Sequence, residues 1–364
     1  MDLSLIFSFA LSMLYLLRKV ARHPSIGLVD KPNARKLHEG TVPLVGGISI
    51  CLSILYFLYS NPNFLPHSGL YSFSIVILVA IGALDDKYDI SFKFRMGVQA
   101  GLAIIMMNFA NVQLATLGDM FGFGDVLLPT FIGQVITVFA VLGAINAFNM
   151  VDGIDGLLGG LASVTFAALG ILFAMHGMVN FAYLCVVFIV VMSPYILFNL
   201  GFFGRTRKVF MGDAGSMLIG FTVIFLLLVG TQIKPNGSEV LRSVTALWLI
   251  AVPLMDMTAI MYRRCRRGDS PFKPDREHLH HIFQRIGLTP TQTLLTICSI
   301  AFLFAAIGIT GEILEVPEAI MFYSFIAVFA VYAALLSNIW AVSKRIRCLR
   351  RLYRLRKHVC NKIA

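Results

Sequence analysis

The chain has 364 residues, of which 58% are hydrophobic and 13% charged, with a mean hydropathy of +0.81 and a formal net charge of +11. Soluble domains carry nearer a quarter charged residues, so this composition excludes an ordinary water-soluble globule and makes a bilayer the expected solvent. The positive charge taken alone leaves nucleic acid and lipid headgroups as partners, and only its distribution separates them.

Windows of about 20 apolar residues mark spanning helices. Eleven occur, at 2–18, 41–60, 69–84, 97–112, 128–148, 157–176, 178–200, 214–232, 242–262, 293–311 and 317–340. The first has Asp2 before its apolar run and Arg18 and Lys19 after it, the reverse of a secretory leader, and is expected to stay as a helix. The links after the first, third, fifth, seventh and ninth windows, with the tail, hold 28 of the 30 Lys and Arg. The positive-inside rule places those links in the cytoplasm, the N-terminus in the periplasm and the C-terminus inside. The expectation is an all-α polytopic membrane protein of about eleven transmembrane helices, with one integral-membrane domain over 1–340 and a basic tail over 341–364. The tail, "KRIRCLRRLYRLRKHVCNKIA", follows a last span and reads as a lipid-headgroup anchor, so no nucleic-acid partner is needed. The six cysteines have no C-x-x-C spacing, which suits unpaired thiols in a reducing compartment.

Reactive residue types gather on the side predicted to be cytoplasmic. After the third window comes "GALDDKYDISFKFR", with Asp85, Asp86 and Asp89 followed by Lys93 and Arg95. After the fifth comes "NAFNMVDGIDGLLGG", with Asp152 and Asp155 three residues apart, a spacing that shares one face of a helical turn. After the seventh comes "FFGRTRKVFMGDAGS", with Asp213 at the mouth of the next helix. The longest link, "YRRCRRGDSPFKPDREHLHH", ends in His278, His280 and His281. The outer links carry isolated acids, and 111–128 alternates around glycines in a way that predicts a small β-hairpin.

Each motif also has a plain structural reading. Paired acids at a helix end are often solvated, and "DGIDG" can be a glycine-rich turn. "MGDAGS" is more specific, because Gly212 and Gly215 admit close backbone approach. Asp213 and the helix start behind it could hold a metal and a phosphate together. "HLHH" lacks the cysteines or second histidine pair that a zinc site needs, which favours imidazoles donating to phosphate. Asp256 is a costly acid inside the ninth window, expected either to pair with a base such as Arg263 or to face the site. Together, carboxylates without thiolates suit a hard cation such as Mg2+ or Mn2+, and the arginines and histidines suit phosphates. That combination describes a diphosphate–metal site at a membrane surface, built for phosphoryl transfer to a lipid.

"GALDD", "NAFNMVDGIDGLLGG", "VFMGDAGS" and "PDREHLHH", in this order, closely resemble the polyprenyl-phosphate N-acetylhexosamine-1-phosphate transferases, and the likeness runs nearly end to end. The resemblance implies transfer of GlcNAc-1-phosphate from UDP-GlcNAc to undecaprenyl phosphate, with UMP released. It further implies dependence on Mg2+ or Mn2+, a homodimer, the bacterial inner membrane, and a product that starts lipid-linked surface polysaccharide such as O-antigen or enterobacterial common antigen. Residue by residue, it makes Asp213 a metal ligand. It makes Asp85 and Asp86 the acid pair of the catalytic centre, assigned to metal binding or to activating the lipid phosphate. Asp152 and Asp155 match acids of catalysis and nucleotide binding, with Asn149 beside them, and Arg264, His278, His280 and His281 match the loop that engages the sugar nucleotide. Segment 27–47 resembles the first cytoplasmic segment, where basic residues attract lipid phosphate or simply meet solvent.

Three other classes compete. A membrane carrier also uses intramembrane acids, although here the acids sit at link ends and no internal repeat is visible. A CDP-alcohol phosphotransferase would need an A-R pair and later acids that "DGIDGLLGGLASV" lacks. The phospho-MurNAc-pentapeptide transferase of peptidoglycan synthesis shares the architecture and differs in sugar recognition.

Overall fold

A computed structural model describes residues 2–30, 40–233, 239–271 and 278–337. Its α-helices run α1 Leu3–Ala21, α2 Gly46–Ser60, α3 Ser68–Tyr88, α4 Phe92–Ala110, α5 Thr130–Met150, α6 Leu157–Met175 and α7 Val179–Asn199. They continue as α8 Gly212–Gln232, α9 Ser243–Leu249, α10 Ala251–Arg266, α11 Leu279–Arg285, α12 Pro290–Ile313 and α13 Glu318–Ser337. Every apolar window of the sequence overlaps helix among the described residues. Among the described residues, eight helices are long and apolar enough to cross a membrane, or nine where the bent pair α9–α10 is counted as one span. The expected count of eleven is therefore not reached by that measure. At 15 residues α2 is short for a span, and α4 opens on the charged Lys93 and Arg95. The tail 341–364, and part of segment 27–47, lie outside the described residues.

Two elements went unseen in the sequence. Strands β1 Val29–Asp30 and β2 Val42–Pro43 pair antiparallel, Val29 opposite Pro43 and Asp30 opposite Val42. The expected outer hairpin is present in outline, with Thr116 bridged to Leu127 and the Leu117 N–H donating to the Val126 carbonyl at 3.0 Å.

The break between α9 and α10, an 82° bend, has a local cause. Pro253 has no N–H to give the Leu249 carbonyl one turn back, and the Thr165 hydroxyl donates to that carbonyl instead, at 3.2 Å. Pro194 in α7 leaves Val190 in the same position, and the Ser193 hydroxyl answers it at 2.7 Å without breaking the helix.

The architecture is organised around α8, whose most apolar 18-residue stretch is wholly buried. It packs chiefly against α5 and α3, and also against α2 and α6. Lipid gives little hydrophobic drive for one apolar helix to leave it for another, so close backbone contact must supply the association. Small residues provide it. A Cβ on Gly47 would overlap the backbone of Gly215, and one on Gly82 would overlap Asp213 and Ala214. The contacts draw the C-terminal ends of α3 and α5 against the N-terminal end of α8. We expect Gly82→Ala to destabilise the protein by about 1–3 kcal/mol through overpacking. Gly101→Ala in α4, which faces open space, should be neutral or slightly stabilising. Thermal unfolding in detergent measures both, and equal effects would remove Gly82 from the packing argument.

Candidate active site

The C-terminal turn of α3 carries Asp85 and Asp86, and the two do different things. Asp86 faces the start of α8, where its Oδ1 accepts the Asp213 N–H at 3.0 Å and Oδ2 the Ala214 N–H at 3.5 Å. It thus supplies acceptors that a helix start lacks and a negative charge at the positive end of the dipole. Gly212 makes this possible. Its φ of +74° suits glycine, and a Cβ there would overlap the Asp86 carboxylate. The α8 N-terminus that the sequence offered to a phosphate is here occupied by Asp86.

Asp85 is 8% exposed and forms an ion pair with Arg95, from the first turn of α4. The same guanidinium nitrogen reaches Asp213 Oδ2 at 2.7 Å. Asp213 Oδ1 accepts from Asn149 Nδ2 at 2.8 Å, and Asn149 also donates to Ser216 Oγ at 2.8 Å. Asp85, Asp86, Asp213 and Asn149 therefore meet in one cluster, with Arg95 between two of the acids. The other Asp85 oxygen, Oδ1, is buried without a hydrogen-bond partner.

Asp152 and Asp155 sit on the link between α5 and α6. Asp152 lies near enough to feel the charges of Asp213, Asp86 and Asp155. Enclosure by surrounding protein, and then those like charges, push its carboxyl up to about 7. Its side chain is still open to solvent, so part of that repulsion is screened. Asp155 is ion-paired with Lys208. The link is held down by Asn199, whose Oδ1 accepts the Gly156 N–H at 2.5 Å and whose amide donates to the Val209 carbonyl at 2.9 Å. Val209 continues into Phe210, which pairs with β2 through the Pro43 carbonyl at 2.9 Å. The small sheet thus braces the approach to Gly212.

The histidines form a second group. His278 Nδ1 lies 2.9 Å from Asp256 Oδ2. The His278 and His280 rings are nearly parallel with centroids 5.7 Å apart, and those of His280 and His281 are 4.2 Å apart. His280 is 3% exposed and lies against Gly153, where a Cβ would overlap its ring. Burial, then the neighbouring His281 and His278, hold its pKa down at about 3, so it is neutral at physiological pH. Contact between His280 and Gly153 joins this group to the acid link. Arg264 is 5% exposed at the end of α10, with Nη1 donating to the Pro271 carbonyl at 2.6 Å.

Among the described residues, no three histidine, cysteine or acidic side chains stand in a ready metal-ligating arrangement. The chemistry of the donor set still fits a hard cation. Asp85, Asp86 and Asp213 offer carboxylate oxygens, and the buried Asp85 Oδ1 has capacity left. Arg95 supplies positive charge between Asp85 and Asp213.

Sequence reasoning missed Arg95 and Lys208 as members of the site. A signal for Arg95 existed: a base ten residues after the acid pair, beyond a short turn, is carried back to it by the next helix. Lys208 had only its place in a basic link.

Glycosyl transferase family 4 matches residues 69–231, which include Asp85, Asp86, Asn149, Asp152, Asp155 and Asp213. An undecaprenyl-phosphate alpha-N-acetylglucosaminyl 1-phosphate transferase of Salmonella typhi is 49% identical over 98% of this chain and 96% of its own length. Proteins of the same name from Yersinia pestis and Haemophilus influenzae are each 49% identical, over 99% and 91% of this chain and 97% and 93% of their own lengths. The motifs lie within an identity that spans nearly the whole chain, which therefore belongs to the family of the undecaprenyl-phosphate alpha-N-acetylglucosaminyl 1-phosphate transferases, within glycosyl transferase family 4.

Proposed function

We propose that this chain transfers GlcNAc-1-phosphate from UDP-GlcNAc to undecaprenyl phosphate, giving undecaprenyl-diphospho-GlcNAc and UMP. The convergence of Asp85, Asp86, Asn149 and Asp213 at the start of α8, with Arg95 among them, carries the reading. We place this site on the cytoplasmic face of the bacterial inner membrane, in a homodimer whose product starts a lipid-linked surface polysaccharide.

Asp213 and Asp86 are the residues we assign to Mg2+ or Mn2+, with Asp85 adjoining. When bound, the metal supplies positive charge to the diphosphate oxygens and eases departure of UMP. Asn149 fixes the Asp213 carboxylate, and Arg95 keeps Asp85 and Asp213 compatible at short range. An oxygen of the lipid phosphate attacks the β-phosphorus of UDP-GlcNAc, and the bond from that phosphorus to the UMP oxygen breaks. A phosphate monoester is already largely deprotonated near neutral pH, so the step requires positioning more than a strong base. Asp85 is engaged by Arg95, which lowers its nucleophilicity and favours direct attack over a phospho-sugar enzyme intermediate. Asp155, held by Lys208, and Asp152 border the nucleotide, while Arg264, His278 and His281 engage its diphosphate. His280, buried and neutral, seats that loop against Gly153.

Radiolabelled transfer by purified protein in detergent tests the reaction. Metal-dependent label in the lipid is expected from UDP-GlcNAc and not from UDP-GalNAc or UDP-MurNAc-pentapeptide. Label from the pentapeptide alone would overturn the sugar. Stoichiometric UMP release without lipid, with sugar phosphate left on the protein, would sink direct attack.

Asp213→Asn should lower metal-supported turnover by about a hundredfold or more, as loss of a charge-stabilising group does, with insertion and folding retained. Near-native activity at saturating metal would exclude Asp213 as a ligand. Asp155→Asn should lower turnover more than His67→Ala, in the distant link before α3, and equal small effects would return "DGIDG" to a turn.

A further inference from the structure

Asp256 lies in mid-α10, 1% exposed, and is not one of the acids of the cluster at the start of α8. A buried carboxylate of this kind is costly unless several donors meet it. Three do, from two parts of the chain. Oδ2 faces His278 Nδ1 at 2.9 Å. Oδ1 accepts the Leu279 N–H at 3.1 Å and the Tyr332 hydroxyl of α13 at 2.7 Å. One side chain therefore fixes the ring of His278, the first backbone N–H of α11, and the face of α13 against them.

We infer that Asp256 is a positioning residue for the sugar-nucleotide diphosphate, acting through the tautomer and seat of His278. The inference rests on the reading of His278 as a donor-binding residue. With Nδ1–H committed to Asp256, Nε2 is the ring nitrogen left for a ligand. A phosphate oxygen at Nε2 meets a donor when the ring carries its second proton, and Asp256 behind the ring accommodates that charge. The bond so formed is charge-assisted, the stronger class. The effect extends along the loop. His280 is nearly parallel to His278 and rests on Gly153, next to Asp152, so the seat given to His278 also sets the ring that supports the acid link. A carboxylate that served only packing would need neither the imidazole nor the polar pair on its other oxygen.

Asp256→Asn tests this with little change of shape. The amide still accepts the Leu279 N–H and the Tyr332 hydroxyl through Oδ1, but turns an N–H toward His278, making Nδ1 an acceptor. In selectively 15N-histidine-labelled protein, His278 should be protonated at Nδ1 in the native chain and bare at Nδ1 in Asp256→Asn. The KM for UDP-GlcNAc should rise about tenfold, with the KM for undecaprenyl phosphate unchanged. His278→Ala should give a similar rise, and the double variant no more than either single one. Tyr332→Phe removes a contact of comparable stability while leaving His278 in place, so it should lower the melting temperature without moving the donor KM.

A native His278 that is bare at Nδ1 overturns the inference without any variant, whether or not Asp256→Asn folds. So does a rise with His278→Ala that Asp256→Asn fails to reproduce, or multiplied effects in the double variant. An unchanged donor KM in His278→Ala, with the tautomer shift present, overturns the donor-binding role of His278 and the positioning role that rests on it.

Discussion

Negative charge held at the end of a buried helix is the constraint around which this molecule is built. Two unit charges of like sign 4 Å apart cost about 4 kcal/mol at the effective dielectric of a protein surface. Asp85, Asp86 and Asp213 are brought to one place, with Asp152 near enough to feel two of them. They are compensated in three ways. Arg95 spans Asp85 and Asp213, the N-terminal amides of α8 receive Asp86, and Asp152 stays open to water. Removing any one compensation would push the others apart, so the cluster is a single electrostatic unit, suited to a divalent cation and a diphosphate.

Helix packing is what allows the charges to meet. The α8 helix is surrounded at contact distances that only glycine and other small residues permit, Gly47 on Gly215 and Gly82 on the Asp213–Ala214 backbone. The same Gly82 that lets α3 approach α8 precedes Asp85 by three residues, so the packing contact and the acid pair belong to one turn of helix. Gly212 repeats the logic in the backbone, since its positive φ and missing side chain let Asp86 reach the α8 amides. Packing glycines and site glycines form one set here, which is why the reactive motifs are glycine-rich.

How far the sequence could be read follows from which forces act locally. Helix windows, and the gathering of acids and histidines in alternate links, were visible because hydropathy and charge are summed over neighbours. The bend at Pro253 was less visible. A proline within α7 is tolerated because Ser193 answers the vacated carbonyl, whereas the same lesion before α10 coincides with a break. Arg95 was named only as part of a basic link, because its role depends on a turn that returns α4 to the end of α3. Asp256 was the sharpest ambiguity. Its sequence neighbours include Arg263, yet its hydrogen bonds go to His278, 22 residues away, and Tyr332, 76 residues away. Long-range pairing of a single side chain leaves no periodic trace. The short strands β1 and β2 were missed for the same reason, being two residues each and fixed by contacts with Phe210.

The two halves of the site are held by unlike physics, and this bears on how they act together. The acid half is polar, rests on ion pairs and amide dipoles, and has negative charge to be met by a cation. The histidine half rests on packing: His280 is buried, neutral and pressed on Gly153, and His278 is tied to a carboxylate that solvent barely reaches. Among the described residues, the ring of His280 on Gly153 is one direct contact between them. In the proposed reaction a diphosphate suits both halves, anionic enough for the histidine side and able to share a metal with the acid side. The donor in that reaction is therefore what joins the two halves. A carboxylate as costly as Asp256 is retained in the middle of α10 because the seat it gives His278 cannot be supplied by apolar packing.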